Sequence, residues 1–262
     1  MTDPRHNGAA ASLRRIRLIA RHTLGEALHQ RLILLFGVTG AALVVGSLGL
    51  RDFNFGGAEL KFIGDFGLGV TGLFGTLLAA LATAHLFFGD ITNRAATCIL
   101  TRPVRRWEYL LGKFAGIAAL LALFVLTLAV VLAAVLARRG AQLGTGGVPL
   151  PVFLQACAVQ WMKLTLVAAM TLLVCSYAGS ALFASCAGLL LALAAHLRGF
   201  SGGGNWSWLR VWPDLGLFDA ESLLAAGHPA AAAWLLMLAA YWAAYLPMFT
   251  VIASYAFKRR EF

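Results

Sequence analysis

Two sets of residues in this chain have side-chain types that could act chemically. The first is the charge-dense run "GDITNRAATCILTRPVRRWEYLLGK" at 89–113, which sets Asp90, Arg94, Arg102, Arg105, Arg106, Glu108 and Lys113 around a Pro103-Val104 pair. The second is Lys163, an ammonium alone in a long apolar stretch. Arginines near acids, on a short helix and a turn, suit recognition of an acidic surface by charge-assisted hydrogen bonds. An ionisable residue in hydrocarbon marks a functional site unless it snorkels to a surface, so Lys163 is a candidate intramembrane polar site.

Other patterns carry less chemistry. "GLGVTG" at 67–72 fits G-x-G-x-x-G, but that fingerprint needs a preceding strand and here falls in an apolar run. Gly67, Gly69, Gly72 and Gly75, and Gly112 with Gly116, fit close helix approach better. No G-x-x-x-x-G-K-[ST] occurs, so the chain has no P-loop and no cofactor of its own is expected. His85 and His196 fall toward span ends, where packing is the expectation, and no H-E-x-x-H or paired carboxylates accompany them. Cys98, Cys157, Cys175 and Cys186 lack C-x-x-C spacing and read as small packing residues. Enzymatic chemistry and a metal site have no support.

The elements that must position these residues follow from composition. Of 262 residues 60% are hydrophobic and only 12% charged, with mean hydropathy +0.81, which describes an integral membrane protein. A spanning helix needs roughly 20 apolar residues. Uncharged windows give spans at about 32–50, 66–89 and 113–137, the last reaching back to Lys113. Residues 151–197 are too long for one helix, and Ser176, Gly179 and Ser180 suit a turn, giving spans at about 152–174 and 180–197. A sixth, about 230–257, follows Gly227-His228-Pro229 and contains Pro247, a kink site.

With the N-terminus inside, cytoplasmic segments carry fourteen Lys and Arg against six in outer ones, which favours both termini in the cytoplasm. The net charge of +10 then reflects topology and contact with anionic lipid; no basic patch interleaved with aromatics supports nucleic-acid binding. Residues 13–31 form a basic amphipathic helix expected in the headgroup layer, with Leu13, Ile16, Ala20, Leu24 and Ala27 on its apolar side. Segments 51–65 and 138–150 read as outer loops. The outer segment 198–229 holds Trp206, Trp208 and Trp212 and, around 215–226, a short re-entrant or interfacial helix. The loop at 90–112 can be helical from Ile91 to Thr101, with Asp90 or Thr92 as N-cap, turn at Pro103, and leave Arg106 and Glu108 at the lip of the third span. The fold class is all-α: one membrane domain, 1–262, of six spans.

"LTRPVRRWEYLLGKFAG" (100–116), preceded by an acid and an arginine in "DITNRAAT" (90–97), resembles the segment between the second and third spans of ABC-2 type transporter permeases. In that family an acid-plus-arginine stretch, a Thr and an L-S-R-P-V-x-R-x-x-F/Y-L-x-G-K run recur. The resemblance extends to 17–36, 60–75 and 256–262; Asp90 stands where Glu is usual and Thr101 where Ser is usual. It implies the permease subunit of an ATP-binding cassette exporter, paired with a second permease, as a homodimer or with a similar chain, and with two copies of an ATPase that binds ATP and Mg. The location implied is the bacterial cytoplasmic (inner) membrane. By carry-over, Asn93, Arg94, Thr97 and Leu100 lie on a helix docked in the ATPase, and Arg102, Pro103, Val104, Arg105 and Arg106 form the turn that transmits its movement, with Asp90 and Glu108 at the ends. Two rival readings are a membrane scaffold that recruits a cytoplasmic partner and an ion-coupled secondary transporter.

Overall fold

In hydrocarbon every backbone polar group must find its partner within its own segment. The described residues meet this demand with helices and 3-10 turns. The computed structural model describes residues 4–52, 59–92, 106–144, 149–198, 212–226 and 228–258. Their α-helices are α1 (Pro4–Leu28), α2 (Arg31–Gly46), α3 (Glu59–Thr92), α4 (Arg106–Leu143), α5 (Leu150–Tyr177), α6 (Ala181–Leu197), α7 (Ala220–Ala226) and α8 (Ala232–Lys258). Five helical segments, built on α2, α3, α4, α5 and α8, are long and apolar enough to cross a membrane, and α6 is a shorter apolar helix.

Local sequence explains the joints. Gln30 takes an extended conformation between α1 and α2. Pro149 precedes α5 and Pro151 lies in its first turn, where a missing N–H costs nothing. The break expected between the fourth and fifth apolar stretches falls at 178–180, where the Ser180 hydroxyl caps α6 by accepting from Phe183 N. Threonine hydroxyls inside the spans turn back on their own helices: Thr71 donates to Gly67 O at 2.8 Å and Thr83 to Ala79 O at 2.6 Å. α8 continues through Pro247.

α3 is the central helix and touches α2, α4, α5, α6 and α7. Its glycines explain the packing. A Cβ on Gly67 would stand 2.5 Å from a Leu132 methyl of α4, and one on Gly75 equally close to a Leu164 methyl of α5. Gly112 and Gly116 act likewise, but the helix they admit is α1. A Cβ on Gly112 would meet Ile19 Cβ at 2.8 Å, and one on Gly116 would meet the Ala20 carbonyl oxygen at 2.8 Å. α1 therefore rests along the first turns of α4.

Several expectations need correction. α3 begins at Glu59 and α4 runs to Leu143, so helix continues past the stretches expected as spans into those expected as outer loops. The expected outer loops are shortened because Arg139 and Glu59 satisfy each other in a two-pronged ion pair, Nε to Oε1 at 2.7 Å and Nη2 to Oε2 at 2.9 Å. The α1 face against α4 carries Ile16, Ile19, Ala20, Thr23 and Ala27, whereas Leu13 is exposed, since the glycine groove sets the rotation of α1. His85 is exposed on α3 and Cys186 on α6, so neither packs inside this chain; Cys175 is buried and Cys157 half-buried. Cys98, Trp206 and Trp208 lie outside the described residues. Trp212 stacks on Phe249 of α8, with ring centroids 6.0 Å apart.

Candidate functional site

Asn93, Arg94, Thr97, Leu100, Arg102, Pro103, Val104 and Arg105 lie outside the described residues. The two helix ends that flank them are described. α3 runs unbroken through Asp90 to Thr92, so Asp90 belongs to its last turn and does not cap a new helix. Arg106 opens α4, as expected for a helix restarted after Pro103.

At this junction the acids point inward. Asp90 is buried and its Oδ2 accepts hydrogen bonds from both Tyr109 Oη and Lys113 Nζ of α4. Lys113 is 1% exposed and Tyr109 2%, so the ion pair is sealed from water. Separating such a pair would leave an uncompensated charge, at a cost of about 3–5 kcal/mol. Glu26 of α1 brings a second carboxylate to the cluster: its Oε1 lies 3.7 Å from where a Gly89 Cβ would stand, and its Oε2 has no hydrogen-bond partner among the described residues.

One turn away, Glu108 is 1% exposed, buried against α1 and not at an open lip. Its Oε1 accepts from Ser12 Oγ at 2.7 Å and from Arg15 Nη2 at 3.3 Å, and Arg15 Nε stands 3.3 Å from Oε2. The three helices at the base of the 93–105 segment are thus joined by two polar clusters, α3 to α4 through a buried one at Asp90 and α1 to α4 through a half-buried one at Glu108. Ser12, Arg15, Tyr109 and Lys113 escape sequence reasoning as partners because no periodicity links residues on different helices.

The second candidate residue sits elsewhere. Lys163 of α5 is half-buried and lines a cavity of about 520 Å³ between α3, α5, α6 and α7, a volume in the range of small-molecule sites. Gly69 and Gly72 of α3 form one wall, Leu193 and His196 of α6 another, and Glu221 of α7 stands at the mouth. The room exists because α3 presents glycines there. A Cβ on Gly69 would lie 3.4 Å from Glu221 Oε1, and one on Gly72 would lie 3.0 Å from Gln160 Nε2.

α7 reaches this position because Leu215, Phe218, Leu223 and Leu224 are buried, with Leu224 seated on Gly64 of α3. Asp219 starts α7, its Oδ1 accepting from Glu221 N and Ser222 N at 3.1 Å each. Desolvation, reinforced by the Asp219 carboxylate, holds the Glu221 carboxyl above the usual range, while Lys163 opposes the shift. The expected short helix around 215–226 is therefore present, as a 3-10 turn at Leu215–Leu217 followed by α7. Its acid is the feature sequence reasoning missed, and the only advance sign was the Asp219 cap preceding an apolar run.

A search of curated proteins finds no match. A comparison with protein families matches residues 13–200, described as ABC-2 family transporter protein. The match takes in most of α1, the flanks of the 93–105 segment with Asp90, Glu108 and Lys113, and Lys163. It covers the greater part of a multi-pass helical chain, and so the chain belongs to the ABC-2 transporter family, as a membrane permease of an ATP-binding cassette transporter.

Proposed function

We propose that this permease forms an export pathway driven by a separate ATPase, which it engages through residues 93–105. One observation carries the reading: both ends of that segment are joined, by one buried and one half-buried polar cluster, to the helices that would have to move. A contact that transmits force must be rigid at its base, and the Asp90–Lys113–Tyr109 and Glu108–Arg15–Ser12 clusters supply that rigidity. Asp90 and Glu108 then act as positioning residues behind the contact. Docking falls to Asn93, Arg94, Thr97 and Leu100, and transmission to Arg102, Pro103, Val104, Arg105 and Arg106.

In this reading two copies of the ATPase hold ATP and Mg, and two copies of the permease pair in the bacterial cytoplasmic membrane. α2, α3, α4, α5, α6 and α8 are its six spans, α1 is an interface helix, both termini face the cytoplasm, and 198–229 is an outer segment folded back on the bundle. ATP-driven approach of the ATPase subunits tilts α3 and α4 between two packed arrangements. Lys163 belongs to an intramembrane polar site.

The test is co-purification of the full chain with its ATPase and measurement of ATP hydrolysis in the complex. Arg94→Glu and Arg105→Glu are expected to lower hydrolysis and transport about tenfold or more while membrane assembly persists, the loss expected when an interfacial charge is reversed. Absence of an ATPase partner, or full transport in the doubly reversed chain, defeats the reading.

A further inference from the structure

Lys163 and Glu221 face one cavity from different helices, yet they make no ion pair with each other among the described residues. A half-buried ammonium among apolar side chains and an exposed carboxylate on the same cavity are thus each left without a counter-ion among the described residues. The rest of the wall is mostly apolar, supplied by leucines of α3 and α6. Behind Gly72, the buried Gln160 offers an Nε2 without a hydrogen-bond partner among the described residues. Asp219 makes no ion pair with Lys163 among the described residues, and its Oδ1 accepts the backbone hydrogen bonds that start α7. The cavity thus presents a cation on one wall, an anion at the mouth and a greasy surface between.

We infer that this cavity binds a zwitterionic amphiphile, its acidic group on Lys163, its ammonium on Glu221, and its apolar body along Leu193 and the glycine face of α3. A purely anionic ligand would meet Glu221 at the mouth, and a purely cationic one would meet Lys163 within. Only a ligand carrying both charges satisfies both walls. The inference rests on the reading of Lys163 as a functional site, and adds the class of ligand. The same chemistry can come from a bilayer lipid headgroup or from a water-borne amphiphile.

The test places the full chain in nanodiscs of phosphatidylglycerol, which has no ammonium, and measures binding of radiolabelled lysophosphatidylethanolamine. Lysophosphatidic acid and dodecylamine serve as single-charge probes. The zwitterion is expected to bind at least about tenfold more tightly than either. Lys163→Met and Glu221→Gln should each weaken its binding about tenfold, and Lys163→Arg should retain it within about threefold. Glu221 is exposed, so its replacement leaves folding intact and keeps the test informative if the span variant assembles poorly. Repeating the measurement in nanodiscs containing phosphatidylethanolamine separates the sources: lost probe binding identifies a bilayer lipid as occupant, unchanged binding a water-borne one. Equal binding of all three probes, or indifference to both charge-removing variants, overturns the proposal. No ATPase takes part, so a chain that binds the zwitterion but recruits no ATPase overturns only the coupling reading.

Discussion

The base of the 93–105 segment and the Lys163 cavity use the same side-chain chemistry to opposite ends. At the base, Asp90 and Lys113 are buried together and bonded directly, with Tyr109 completing the cluster. In the cavity, Lys163 and Glu221 share a space without meeting. The difference lies in what fills the gap between helices. Near Asp90, α4 supplies large side chains that close it; on α3, Gly69 and Gly72 have no side chain to fill it and leave it open. Charge neutralised within the protein stiffens a joint, whereas charge left facing a void is available to something else.

Breaking the closed pair gives the largest effect. Asp90→Ala strands the Lys113 ammonium and is expected to cost about 3–5 kcal/mol, read as loss of thermal stability in detergent. Asp90→Leu with Lys113→Met should recover most of that stability, while coupling to ATP hydrolysis stays reduced; equal losses in single and double variants would show that the pair is not the source of the joint's strength. Next in size is Gly116→Leu, which drives a side chain into the Ala20 carbonyl and should cost about 1–3 kcal/mol by displacing α1. Increased proteolysis within residues 11–28, with the spans still inserted, is the matching readout.

The smallest effect belongs to the open site. The folded chain holds the Glu221 carboxyl above its usual range, so it favours the protonated form. Its contribution to stability is complete below the unfolded pKa of about 4.3 and is lost as pH rises through the folded value. Binding of a zwitterion should run the other way, strengthening over that same interval as Glu221 ionises. The titratable groups around Glu221 are Asp219, Lys163 and Asp65, with His196 on the wall of the same cavity; Glu221→Gln leaves all four in place, so a pH slope that survives this change would assign the titration to one of them.

Much of the helical framework is legible from uncharged length alone, because hydrocarbon thickness fixes how long a span must be. The turn at 178–180 is legible for a similar reason, since Ser180 is a good cap. What a linear reading loses are the ends, and the cause is charge pairing between distant residues. Glu59 and Arg139 look like loop markers until they neutralise each other; Asp90 looks like a cap until Lys113 reaches it. The arginine-rich segment is visible through its resemblance to a family, and the match over 13–200 establishes that family. The partners of Lys163 are not visible, because α7 reaches the cavity only by laying Leu224 on Gly64, a contact between residues far apart in sequence.

The fork between Glu59 and Arg139 acquires a mechanical meaning beside the Asp90–Lys113 pair. One ties α3 to α4 where α3 begins, the other where it ends, so shear between the two helices would break both pairs and the two tend to move as a single beam. With 34 residues at 1.5 Å each, that beam is about 50 Å long, and a rotation of about 10° about its loop-side end carries the opposite end about 9 Å. Under the coupling proposed above, a small push at the base would become a wide stroke at the Glu59 end of α3, beyond the Gly64 seat of α7.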